Sequence, residues 1–194
     1  MDLKSNEDFL AWTTTRGIAL DARYGPPQCL VYLREDAPRR FWECPKGRRE
    51  LTRFVQHVLA GLDPWEICCL WPRGGRWRDP RPARNRTAEI RSRVTYGLPV
   101  PDRFEGAVEF VPHEVEQLGA WVLRMIREGC CVRDDLFIVP DHGRQLINTD
   151  HHGVVHVACQ ETARLLQFIE HMTLGGYELP QDLPDATFKR PSWM

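Results

Sequence analysis

One pattern occurs twice in this chain and constrains its architecture more than any other feature. Residues 51–61 read Leu51-x-x-Phe54-Val55-x-His57-Val58-x-x-Gly61, and residues 165–175 read Leu165-x-x-Phe168-Ile169-x-His171-Met172-x-x-Gly175. Each run follows a short β-like stretch that ends in a cysteine, Cys44 or Cys159. Apolar residues at helical spacing with a closing glycine predict an amphipathic helix in both places. Any two amphipathic helices share apolar positions, so the matched His and Gly carry the information. The pattern predicts two strand-then-helix units, related by duplication or by coincidence of ordinary elements.

The rest of the chain fits around these units. Ser5-Asn6-Glu7-Asp8 ahead of Phe9, Leu10 and Trp12 predicts a short capped helix. Ile18–Tyr24, Cys29–Leu33 and Arg40–Cys44 predict three strands before the first repeat, and Trp65–Trp71 a buried strand after it. Ala107–Val111 predicts another strand. Val115, Leu118, Val122, Met125 and Ile126 then form the apolar stripe of a helix from about His113 to Glu128, with acids in its first turn and arginines in its last. Leu136–Val139, Gln145–Asn148 and Val154–Val157 predict a meander of three strands, closed by a helix over 161–174.

The expected fold class is therefore α+β, a mostly antiparallel sheet with three main helices. The 194 residues suffice for a single domain. Residues 18–61 and 136–175 each read as three strands and then a helix, which allows two similar halves, 17–71 and 106–177, joined by an arginine-rich connector over 72–101. The tail over 178–194, with Pro180, Pro184 and Pro191, is expected to be extended, and Phe188, Trp193 and Met194 predict that it docks on the body.

Apolar residues at 42% and charged residues at 27% are ordinary for a folded globular chain. No apolar run reaches the roughly 18–20 residues that span a bilayer, and the polar start Met1–Asn6 is no signal peptide, so a cytoplasmic location is expected. Seven cysteines, an odd number without a C-x-x-C spacing, argue against a disulfide framework and a thiolate zinc knuckle. They are expected to be small buried hydrophobes.

Charge is distributed unevenly. Between Arg73 and Arg93 eight arginines stand against Asp79 and Glu89, a surplus of +6, while the net charge of −1 leaves −7 for the remainder. Arg73, Arg76, Trp77, Arg78, Arg81, Arg84 and Arg86 are the candidate partner-binding residues: guanidinium forks suit carboxylate and phosphate, and Trp77 offers an aromatic face. The partner is expected to be another protein or a second copy of the chain. Nucleic acid ranks below them because the isoelectric point, near 6.7, is not that of a dedicated binder.

The second candidate site is a histidine-rich set, His142, Asp150, His152 and His156. Imidazole and carboxylate are ordinary ligands of divalent transition metals, and a hairpin over 145–157 would bring some of them to one face. The same residues suit turn chemistry, since Asp150 can hydrogen-bond its own backbone and Gly153 tolerates positive φ. No nucleophile elbow, phosphate loop or dinucleotide fingerprint is present. The sequence thus predicts a non-catalytic binding or regulatory protein without a cofactor. A metal-dependent hydrolase built on the histidine set is the alternative, and nucleic-acid binding through the arginines the second alternative.

Overall fold

The computed structural model describes residues 1–20, 31–32, 36–73, 75, 77, 100–101, 104–128, 135–150 and 152–179. Seven strands form one sheet in the order β1-β6-β5-β7-β8-β9-β4: β1 (Asp2–Ser5), β4 (Arg39–Glu43), β5 (Cys68–Pro72), β6 (Gly106–Phe110), β7 (Leu136–Pro140), β8 (Gln145–Thr149) and β9 (Val154–Cys159). Every neighbouring pair is antiparallel. β2 (Ala19–Leu20) and β3 (Val31–Tyr32) pair separately. Helices α1 (Asn6–Thr14), α2 (Arg48–Ala60), α3 (Val115–Glu128) and α4 (Thr162–Leu174) complete an α+β fold.

Alternation along the strands builds two hydrophobic layers. Cys68, Leu70, Val108, Phe110, Ile138, Val155 and Val157 face α2, α3 and α4, whose Phe54, Val58, Leu118, Val122, Phe168 and Met172 close the larger core. Cys69, Trp71, Ala107, Phe137 and Val139 face the other way and meet Phe9 of α1. β5 and β7 lie centrally and are buried along their whole length, which explains their unbroken apolar sequences. The vicinal Cys68-Cys69 pair is split between the layers because successive side chains of a strand point to opposite faces. Each large buried side chain contributes about 1.5–3 kcal/mol.

The described elements follow the expected ones within a few residues. β1 is an addition: Asp2–Ser5 is too short and polar to show strand periodicity, and it is held by its register with β6, Leu3 opposite Val108. Ser5 then caps α1, its Oγ accepting the Asp8 N–H at 3.1 Å. The two expected three-strand sets are not arranged alike. The second is a continuous meander of the main sheet, whereas among the described residues of the first only β4 joins that sheet. The predicted strand segments over 21–30 and 33–35, and the tail over 180–194, lie outside the described residues.

The strands ahead of the two similar helices are neighbours in the sheet. β4 and β9 are adjacent and antiparallel, with Phe41 opposite His156 at the centre of their register. The Cys44 N–H donates to Gly153 O at 2.7 Å, and the Cys159 N–H donates to Pro38 O at 3.0 Å. Each strand leads directly into its helix, α2 or α4.

Candidate functional site

The histidine set divides between two ends of the sheet. Asp150 begins the turn between β8 and β9. Its Oδ1 accepts the N–H groups of His152 at 2.9 Å and Val154 at 3.0 Å, while Oδ2 lies 3.1 Å from His156 Nε2. Gly153, at φ 75°, makes the reversal possible. Burial pushes the Asp150 carboxyl up, but the imidazole and the two backbone N–H groups outweigh it and hold the pKa below the ordinary value. His156 packs against Phe41 with ring centroids 5.8 Å apart. His152 is exposed.

His142 sits in the preceding turn, between β7 and β8, at the end of β8 opposite the Asp150 turn. Consecutive turns of a meander lie at opposite ends of the strand they share. The five residues of β8 put about 16 Å between them. His142 Nδ1 accepts the Arg144 N–H at 3.0 Å, so the neutral ring carries its proton on Nε2. Burial first, and then Arg144, lower its pKa against the opposing pull of Asp63 and Asp141. Among the described residues no group of three or more His, Cys, Asp or Glu is placed to hold a metal ion. The geometry makes an Asx-type turn with a histidine brace out of Asp150, His152 and His156.

Two of the predicted partner-binding residues are also relocated. Trp77 is only 3% exposed, donates Nε1–H to Gly106 O at 2.9 Å and meets the Trp121 ring edge-on. Arg73 is buried beside Asp135, Nη1 to Oδ2 at 3.3 Å, and its N–H donates to Asp135 O at 2.8 Å. Both are internal. Arg76, Arg78, Arg81, Arg84 and Arg86 lie outside the described residues.

Sequence reading did not single out the polar junction around Asp63. Its carboxylate contacts Arg164 Nη1 at 3.0 Å and Arg144 Nε at 3.5 Å, and its N–H donates to Gln145 Oε1 at 2.6 Å. This joins the end of α2 to β8 and the first turn of α4. The partners stand 81 to 101 positions from Asp63, so no local motif announces them. Beside it the Cys159 thiol is pushed up to about 12 by burial and by Asp63. Cys44 is likewise held near about 12 by burial and by Asp150. Burial also raises Cys68 and Cys69 far out of the thiolate range.

Comparison with protein-family models, with curated proteins and with solved structures finds no match. Among the described residues no helix is long and apolar enough to cross a membrane.

Proposed function

We propose that this protein is a non-catalytic binding protein whose partner surface is the arginine-rich segment between β5 and β6. The supporting observation is where that segment is inserted. β5 and β6 are antiparallel neighbours, which about 2–5 residues would suffice to join. Residues 73–105 connect them instead. Trp77 and Val100, each 3% exposed, belong to the larger core and fix the two ends of a shorter stretch, 78–99. That stretch carries six arginines against Asp79 and Glu89. That connection is far longer than the pairing of β5 with β6 requires, and it departs from a buried, braced base.

The chemistry favours an acidic macromolecular surface, since several guanidinium groups close in sequence gain most from several carboxylates at once. An acidic protein surface is the partner we favour. The buried thiols and the turn-forming Asp150 and His156 fit a chain whose polar groups serve the scaffold. The test is replacement of Arg78, Arg81 and Arg84 by Ala in the full chain, followed by quantitative affinity capture at increasing salt. Loss of capture with an unchanged melting temperature is expected. Unchanged capture would remove the proposal, and preferential retention of nucleic acid by the unmodified chain would replace the protein partner with that one.

A further inference from the structure

α2 buries one face and leaves the other to solvent. Leu51, Phe54, Val55 and Val58 are buried in the larger core, whereas Arg49, Arg53, Gln56 and Ala60 form the exposed stripe. Lys46 and Arg48, in the turn that starts the helix, are exposed as well. Among the described residues the side chains of Lys46, Arg48, Arg49 and Arg53 enter no ion pair and no hydrogen bond. Glu50, the acid of the first turn, folds its carboxylate back against Gly47, onto the position that a Cβ would take there.

Helix stability does not account for these cations. Positive side chains in a first turn oppose the macrodipole, and Arg49 and Arg53 repel each other at i, i+4. Their place in the fold is specific. α2 begins beside the Asp150 turn, because Glu43 at the end of β4 pairs with Val154. β5 ends at the same end of the sheet: Pro72 pairs with Leu136, and Leu136 with Thr149. Four strand spacings, about 19 Å, separate β4 from β5. The basic face of α2 thus stands at the end of the sheet from which the arginine-rich segment departs.

We infer that the exposed face of α2 is a docking surface for an acidic segment of another protein, with Arg49 and Arg53 at its centre and Lys46 and Arg48 at its flank. Guanidinium forks match carboxylates, and the two arginines stand about 6 Å apart along the helix, the spacing of acids at i, i+4 on a partner helix. Opposite charges brought by such a segment relieve the repulsion that the free face carries. A lipid surface is a poorer fit, because the exposed large apolar residues, Leu3, Val115, Leu166 and Leu174, all lie off α2. So is nucleic acid: the exposed stripe holds no aromatic ring to stack on a base, and an isoelectric point near 6.7 is not that of a dedicated binder. The inference goes beyond the arginine-segment reading and stands without it.

Fluorescence anisotropy of labelled poly-L-glutamate titrated with the full chain tests this. The unmodified chain should bind, and more weakly as salt rises. Arg49→Gln with Arg53→Gln should weaken binding about tenfold and melt no lower than the unmodified chain. Leu166→Glu with Leu174→Glu, at exposed sites of α4, changes the net charge by the same amount and should weaken binding far less. The tenfold loss should persist when Arg78, Arg81 and Arg84 are replaced by Ala, which separates this face from the arginine-rich segment. An unmodified chain that ignores polyglutamate would overturn the inference, as would binding indifferent to the α2 pair or equally sensitive to the α4 pair. Tighter binding of duplex DNA than of polyglutamate would overturn it too.

Discussion

His57 and His171 stack with ring centroids 4.0 Å apart and planes 9° from parallel, and each holds the backbone of the other's helix. His57 Nε2 lies 2.8 Å from His171 O, and His171 Nε2 lies 2.9 Å from His57 O. A carbonyl only accepts, so each Nε2 carries hydrogen. The contact satisfies polar groups at two helix C-termini and fixes α2 against α4. It also accounts for the glycines of the repeat. Gly61 and Gly175 end their helices at φ −80° and −77°, where any residue is comfortable. Their lack of a side chain matters because the opposite imidazole lies against them: a Cβ on Gly61 would stand 2.7 Å from His171 Cδ2, and one on Gly175 would enter the His57 ring.

Gly61→Ala and Gly175→Ala are therefore expected to destabilise the fold by about 1–3 kcal/mol through overpacking. The coupling should be crossed. Gly61→Ala should be relieved by His171→Ala, and Gly175→Ala by His57→Ala, whereas the same-helix combinations should be close to additive. Urea denaturation of the two double-mutant cycles measures this, and additivity in both crossed pairs would reject the account.

Local elements of this fold were legible in the sequence where the period was strong, as in Val115–Met125 and the meander from Leu136. The repeated His and Gly correctly marked special positions, but their meaning depends on contact between residues 114 positions apart. Trp77 was misleading for a related reason. Glycines, prolines and arginines around it suggest an exposed arm, and only the buried Gly106 carbonyl shows that its indole is an anchor. The meander predicted from Leu136 already implied that the turns at His142 and Asp150 lie at opposite ends of β8.

Arg73 and Asp135 make a prediction of a different size. Their side chains are only 6% and 7% exposed. Removing one partner leaves a buried charge facing a low-dielectric surrounding, which typically costs about 3–5 kcal/mol. Asp135→Ala should thus lower stability more than the double change Arg73→Met with Asp135→Leu, which removes both charges and retains volume. Thermal melts of the two variants decide it, and an equal loss in both would show that the charge pair is not what matters there.

The described thiols should be slow to react in the native state. Alkylation requires thiolate, and burial raises Cys44 and Cys159 to about 12 and Cys68 and Cys69 higher still than the ordinary value. Brief treatment with iodoacetamide at neutral pH, followed by peptide mapping, should leave these four unmodified until denaturant is added. Rapid native labelling of Cys44 would show that its side chain is more accessible than its burial implies.

Asp150 supplies the pH test. Its carboxyl is more acidic in the folded chain than its ordinary value of 3.8, the His156 imidazole and two backbone donors outweighing the cost of burial. Between the folded pKa and 3.8 the unfolded chain binds more protons, so stability rises with pH across that interval. The contribution is fully present above 3.8 and is lost as pH falls through the folded value. Asp150→Asn keeps the size of the side chain and part of its turn chemistry but lacks the charge. It should be less stable than the unmodified chain at neutral pH, and the gap should narrow only once the medium is more acidic than 3.8. Urea midpoints of both proteins across an acid series would show this convergence, and a gap that stayed constant into acid would assign Asp150 to turn geometry alone.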